Sequence, residues 1–385
     1  MGNKSTPGRE RDQETRDATG GVPHENQETR DVAGGVPASL IKLDANENPF
    51  PWPEGLGAEI AAGLEFNRYP DGEAIALREA LAARCGLRAE EIIVGNGSDE
   101  LIVMALQTFG GPGRALLIHP PTFGVYAAMA ATTGTPLLEA PLAAEGQALN
   151  LEKMLSLCRD NPVAVMIVCN PNNPTGALFP RPEIERLLKE SGTLVLVDEA
   201  YGEFAGAETS VLPLISEYQN LLVMKTFSKA FGMAALRLGY LCGPAAAVSS
   251  LNRTRQTFNV NSFTQKAGLA VIRRAAAYER QVAALRAETE KLYRGLKGLP
   301  GVKVWPTRAN FVLFRPPDAI RWGEALRARG FIARVFEHLT GLGPCLRVSA
   351  GTPAENEAFL RAAGEVAAAE NEASPRAAGE VAAAP

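Results

Sequence analysis

The stretch TLVLVDEA, Thr193–Ala200, places four apolar residues in a row and ends on two adjacent carboxylates. A strand with one wet face alternates apolar and polar residues; a strand that is apolar throughout is covered on both faces. Asp198 and Glu199 at its end need partners, because a carboxylate taken out of water alone is costly. Working outward, similar runs occur at EIIVGNGS (Glu91–Ser98), ALLIHPP (Ala115–Pro121), TPLLEAPL (Thr135–Leu142), AVMIVCN (Ala164–Asn170), LLVMKTFS (Leu221–Ser228) and LGYLCG (Leu238–Gly243). Helical segments such as Ala74–Cys85 and Pro182–Glu190 fit between them. Strands alternating with helices predict an α/β fold, a large domain with a mostly parallel seven-stranded sheet between helices. After Ser262 comes one helical stretch, Thr264–Gly298. VKVWP, ANFVLFR and CLRVSAG then read as strands of a smaller α+β domain, and Pro353–Ala369 as a last helix.

Composition excludes several classes. With 46% hydrophobic and 21% charged residues the chain is ordinary globular material. A net charge of −4 gives no basic field for nucleic acid. No run of about 18 apolar residues suggests a membrane span, and the polar start lacks the apolar core of a secretory signal. The five cysteines, without CxxC or metal spacing, suggest a reducing, cytoplasmic setting and no metal. His24, His119 and His338 show no metal or triad spacing and receive no catalytic role. QETRDATGGVP (Gln13–Pro23) recurs as QETRDVAGGVP (Gln27–Pro37). Residues 1–38 therefore read as a disordered tail, or alternatively a small partner-binding arm. RAAGEVAAA at Arg361–Ala369 returns at Arg376–Ala384, and residues 370–385 read as a second tail.

In open α/β sheets ligands sit beyond the carboxyl ends of the strands. GNGSDE (Gly95–Glu100) has the glycines and hydroxyl of an anion-binding helix start, although such a turn also merely caps a helix. NPNNPTG (Asn170–Gly176) is a Pro/Asn turn at another strand end. VDEAY offers Asp198 either as a buried charge or as a helix N-cap. TFSKAFGMAALRLGY (Thr226–Tyr240) holds a lone lysine, Lys229, and a lone arginine, Arg237, close to the core. A lysine amine, an aspartate, an asparagine, a tyrosine, two hydroxyls, an arginine and a glycine-rich turn thus meet at one sheet edge. The set meets the needs of pyridoxal 5′-phosphate: Lys229 for a Schiff base with its aldehyde, a carboxylate to keep its pyridine nitrogen protonated, and Arg237 with backbone and hydroxyl donors for its phosphate.

LDANENPF (Leu43–Phe50), NRYPDGEAIALREALA (Asn67–Ala82), GNGSDELI, NPNNPTG, VDEAYGEF, TFSKAFGMAALRLGY, RQTFNVNS (Arg255–Ser262), ANFVLF and LRVSAGTPAENEAFL make the resemblance specific. Over about Ile41–Ala363 the chain resembles class I/II (fold type I) PLP-dependent aminotransferases, and within them the histidinol-phosphate aminotransferases. The resemblance implies transamination of L-histidinol phosphate with 2-oxoglutarate, giving imidazole-acetol phosphate and glutamate. It implies residues 39–68 as an N-terminal segment joining the small domain, 69–275 as the large cofactor-binding domain and 276–369 as the small domain. Asn173 and Tyr201 should flank the cofactor's 3′-oxygen, and Asp198 should pair with its pyridine nitrogen. Gly97, Ser98, Asp99, Thr226, Ser228 and Arg237 should surround the phosphate, and Phe123 should stack on the ring. Tyr69 should reach the phosphate of the neighbouring subunit, which implies a homodimer. Arg347, Arg334, Phe258 and Asn48 should bind substrate. Two departures bear on the amino donor. The family's tyrosine upstream of NEN is absent from GGVPASLIKLD, and positions 123 and 258 carry Phe where relatives often have Tyr. A cleft with fewer hydroxyls discriminates less among polar substrates. An aromatic amino-acid aminotransferase and a threonine-phosphate decarboxylase-like lyase share these motifs and remain alternatives.

Overall fold

Alternation within each apolar run shows why the runs must be apolar throughout. In Leu194–Asp198, Val195 and Val197 join one buried cluster, while Leu196 joins a second on the opposite face. Met166 and Val168 likewise part from Val165 and Ile167. The first cluster is closed by the helices Ile75–Cys85, Arg181–Glu190 and Ala275–Lys297, through Leu77, Leu81, Ile184, Leu187 and Leu285. The second is closed by Ser98–Phe109, Val125–Thr132 and Ala245–Asn252, through Ile102, Tyr126 and Val248. Each such aliphatic side chain taken fully out of water contributes about 1.5–3 kcal/mol, so both faces of the sheet hold the domain together.

The computed structural model describes residues 40–380, with side chains through 370. Its strands are β1 (Ile41–Lys42), β2 (Ile92–Gly95), β3 (Ala115–Ile118), β4 (Leu137–Glu139), β5 (Val163–Cys169), β6 (Leu194–Asp198), β7 (Leu221–Thr226), β8 (Gly239–Cys242), β9 (Lys303–Val304), β10 (Phe311–Arg315), β11 (Phe331–Ile332), β12 (Arg334–Phe336) and β13 (Cys345–Ser349). Seven of them form one sheet in the order β2-β8-β7-β6-β5-β3-β4. Only β8 runs against its neighbours, and the strands from β7 to β4 are parallel. The carboxyl ends of β5, β6 and β7 therefore open on the same edge.

The second sheet, β12-β13-β10-β9, is antiparallel. Trp322 and Phe359, on the helices Ala319–Ala328 and Pro353–Glu380, are fully buried beside Phe314 and Phe331. β1 pairs parallel with β11, and Ser349 N–H donates to Leu43 O at 2.8 Å. The segment entering at Ile41 is thus laid along the second sheet.

Two sequence expectations differ in detail. The stretch Thr264–Gly298 is two helices, Ser262–Arg273 and Ala275–Lys297. The break falls at Arg274 (φ −106°, ψ 20°), whose N–H turns back to Val271 O and whose guanidinium is held by Glu59 at 2.7 Å. No Gly or Pro marks that turn. The last helix continues through Glu380, into the stretch read as a tail. The expected tail 1–38, like residues 381–385, lies outside the described residues.

Candidate active site

Asp198 is the last residue of β6 and is 3% exposed. Its Oδ2 accepts from Tyr126 Oη at 2.6 Å and its Oδ1 from Ala200 N–H at 2.9 Å. Burial pushes the carboxyl up to about 6, against the pull of these two donors. Both donors are neutral, so the carboxylate still needs a cation to meet its charge. A protonated pyridine nitrogen is such a group.

Lys229 follows β7 in a tight turn closed by Met233 N–H to Phe227 O. Its Nζ donates to Ala45 O at 2.9 Å and lies 5.9 Å from the Tyr201 ring centre. Burial, then the nearby Arg347 and Arg237 guanidiniums, bring the amine down to about 8 despite the opposing pull of Glu47. That is the direction a nucleophilic amine requires. Tyr201, buried beside it, accepts from Asn46 Nδ2 at 2.9 Å.

The anion cradle forms where the helix Ser98–Phe109 begins. Gly97 sits at φ 84° and ψ 171°, a conformation only glycine takes easily. A Cβ there would stand 2.7 Å from Arg237 Nη2. Gly239 on β8 backs the same turn: its Cβ would be 2.8 Å from Ser98 N. Arg237, itself at φ 52°, donates to Asp99 Oδ2 at 3.0 Å. The Asp99 carboxylate therefore orients the arginine. Thr226 and Ser228 are buried, and Ser228 N–H donates to Thr226 Oγ1 at 3.1 Å.

Asn173, in the loop after β5, accepts from Arg347 Nη1. Arg347 Nη2 donates to Asp44 O at 2.6 Å, and the guanidinium lies 5.4 Å from the Phe311 ring and 5.6 Å from Phe336. Arg334 stands directly opposite Arg347 in the β12–β13 register. Phe123 meets Tyr126 edge to face at 5.5 Å.

Three further expected residues make contacts of their own among the described residues. Tyr69 is 81% exposed and stacks on Phe258 at 4.5 Å and 11°. Phe258, 39% exposed, holds that stack at φ 61°. Asn48 donates to Ala230 O and Gln281 Oε1, so it ties down the lysine turn. Conversely, the sequence reading passed over Tyr126 and Asn46. Tyr126 lies one helical turn after Phe123. Asn46 stands in the quoted LDANENPF and takes a left-handed φ of 55°, a conformation asparagine tolerates better than most residues. Its backbone and side chain bond Ser349, Tyr201 and Asn310.

The residues present fit pyridoxal 5′-phosphate: an amine with lowered proton affinity, a buried carboxylate without a cation, and a helix start with an arginine beside a glycine that admits no side chain. The comparisons agree with that fit. The histidinol-phosphate aminotransferase of Desulfitobacterium hafniense (strain Y51) is 51% identical over 331 residues, 85% of this chain and 91% of its own. The crystal structure of the histidinol-phosphate aminotransferase from Clostridium acetobutylicum has a TM-score of 0.79 at 24% identity, covering 85% of this chain and 99% of that one. The L-threonine-O-3-phosphate decarboxylase of Porphyromonas gingivalis shares the fold too, with a TM-score of 0.71 at 24% identity over 84% of this chain and 98% of that one, so fold alone does not separate transfer from decarboxylation. Residues 38–362 match the family described as aminotransferase class I and II, and the chain belongs to that family.

Proposed function

We propose that the chain transfers the amino group of L-histidinol phosphate to 2-oxoglutarate, a step of histidine biosynthesis, with pyridoxal 5′-phosphate as cofactor. The observation that carries this reading is the placement of Asn173, Asp198 and Lys229 at the carboxyl ends of β5, β6 and β7, with Arg347 of β13 reaching in to bond Asn173. The amino donor is taken from the relative at 51% identity, whose name states it. Bound there, the cofactor supplies an aldehyde for the substrate amine and an electron-withdrawing ring. Asp198 would hold a proton at the ring nitrogen. Asn173 and Tyr201 would orient the ring's oxygen, and the Gly97–Ser98 turn, Thr226, Ser228 and Arg237 would hold the phosphate. Lys229 Nζ, leaving Ala45 O, would take the proton from the Cα of the amino donor and, in the second half of the cycle, give one to the Cα of the glutamate being formed. Arg347 and Arg334 meet the substrate's anionic end, a phosphate in one half of the cycle and carboxylates in the other.

The same proposal includes a cytoplasmic homodimer, with large domain 69–275 and small domain 276–369. The stacked, exposed Tyr69 and Phe258, with Phe66 at 84% exposure nearby in sequence, supply an aromatic surface of the kind subunit contacts use. The free cysteines suit a reducing compartment. The test is a donor panel with product identification by mass. Histidinol phosphate should exceed phenylalanine in kcat/KM by more than about a hundredfold and yield glutamate from 2-oxoglutarate. The reverse ranking favours an aromatic aminotransferase. Carbon dioxide from threonine phosphate, with no keto product, favours the lyase.

A further inference from the structure

We infer that Tyr126 is a positioning residue for the cofactor: its hydroxyl fixes the Asp198 carboxylate and its ring braces Phe123, so one side chain sets both the nitrogen partner and the stacking face. The inference rests on the cofactor reading above. Tyr126 is fully buried on the first turn of Val125–Thr132. Its Oη lies 2.6 Å from Asp198 Oδ2, at the short end for an O–H···O bond. With Ala200 N–H on Oδ1, this bond stops the carboxylate from rotating and leaves the remaining lone pairs for an incoming N–H. Burial and the neighbouring carboxylate keep the phenol's proton on, so it stays a donor. The edge-to-face contact with Phe123 at 87° sets that ring from the side. A tyrosine retained only for packing would fill the same volume as phenylalanine and would not need the bond.

The test is a double-mutant cycle read by fluorescence titration of the cofactor-stripped enzyme with pyridoxal 5′-phosphate. Tyr126→Phe keeps the ring and removes the hydroxyl. It should weaken cofactor binding about tenfold to a hundredfold, the range of a hydrogen bond to a charged group. In an Asp198→Ala background the same change should alter affinity less than about twofold, because the partner is gone. Asp198→Leu, which also offers no acceptor, repeats the comparison should Asp198→Ala not fold. Saturated with cofactor, Tyr126→Phe should lower kcat and leave the donor KM in place. Equal weakening in both backgrounds, or wild-type affinity in Tyr126→Phe, would overturn the inference. Failure of the wild-type protein to bind the cofactor would instead overturn the functional reading.

Discussion

Replacing Gly97 by alanine should damage stability and cofactor binding through two separable routes. The first is conformational. At φ 84° and ψ 171° an alanine costs about 1–3 kcal/mol, offset by about 0.4–1 kcal/mol from a less disordered unfolded chain. A net loss of about 1–2 kcal/mol is expected. The second is steric. The new Cβ would stand 2.7 Å from Arg237 Nη2 and 3.2 Å from its Cζ. These atoms end a flexible side chain, so the guanidinium swings away at little cost, its pair with Asp99 being 43% exposed on both sides and worth about 0–1 kcal/mol. What is lost is a charge-assisted phosphate contact, worth about 1.5–3 kcal/mol or roughly tenfold to a hundredfold in affinity. Gly192→Ala is the control. Its φ is 65°, and a Cβ there meets nothing within 4 Å, so it should lose about 1 kcal/mol and bind cofactor normally. Urea unfolding of the stripped proteins gives the first quantity and fluorescence titration the second. If Gly97→Ala loses stability but binds pyridoxal 5′-phosphate like wild type, the cradle is misassigned.

Other substitutions test the remaining parts. Lys229→Ala should leave no borohydride-reducible covalent cofactor; persistence of that adduct would move the attachment to another amine. In the stripped enzyme the Lys229 amine is held down to about 8 from its ordinary 10.5, so its protonated form is penalised in the fold. Lys229→Met should therefore be more stable than wild type at pH 7, with the difference shrinking between about pH 8 and 10.5; a difference constant with pH would refute this. Asp198 is raised from 3.8 to about 6, so its contribution is full below 3.8 and fades as pH rises through 6. Asp198→Asn should gain relative stability over that window in the stripped enzyme while cutting turnover about tenfold to a hundredfold; near-normal turnover would leave Asp198 as a helix cap. Asn46→Ala should cost about 2–4 kcal/mol in thermal unfolding, from orphaned partners and a left-handed φ of 55°; Asn46→Gly should recover about 1 kcal/mol, and no recovery would exclude backbone strain.

The large sheet was legible because a strand between two layers cannot afford a polar residue on either face, and the seven apolar runs map onto β2 to β8. The residues at their ends were legible because chemistry needs them there: Asp198 and Lys229 are polar interruptions of buried strands. β11 and β12 were not legible, since Phe331–Ile332 and Arg334–Phe336 are too short to show a period. Tyr126 and Asn46 were missed for a different reason. Their partners lie 72 and 155 residues away, and neither periodicity nor local motif carries such distances. Asn48, expected at the substrate, also donates its amide to the lysine turn. A motif marks a segment as important without saying which of its atoms face inward.

The segment from Leu43 to Asn48 also constrains how the protein is born. Ala45 O receives Lys229, 184 residues later in the chain, and Asp44 O and Asn46 N–H meet Arg347 and Ser349, 303 residues later. A ribosome makes the lysine long before the strand that completes its surroundings. Closing a loop of that length carries an entropy cost of about 5 kcal/mol from its logarithmic term, and contacts so distant slow folding. The surroundings of the lysine are therefore complete only after β13 has been made and meets the segment 43–48. Until then the nascent chain has an amine but no pocket, so cofactor capture marks a chain synthesised through Ser349 and folded.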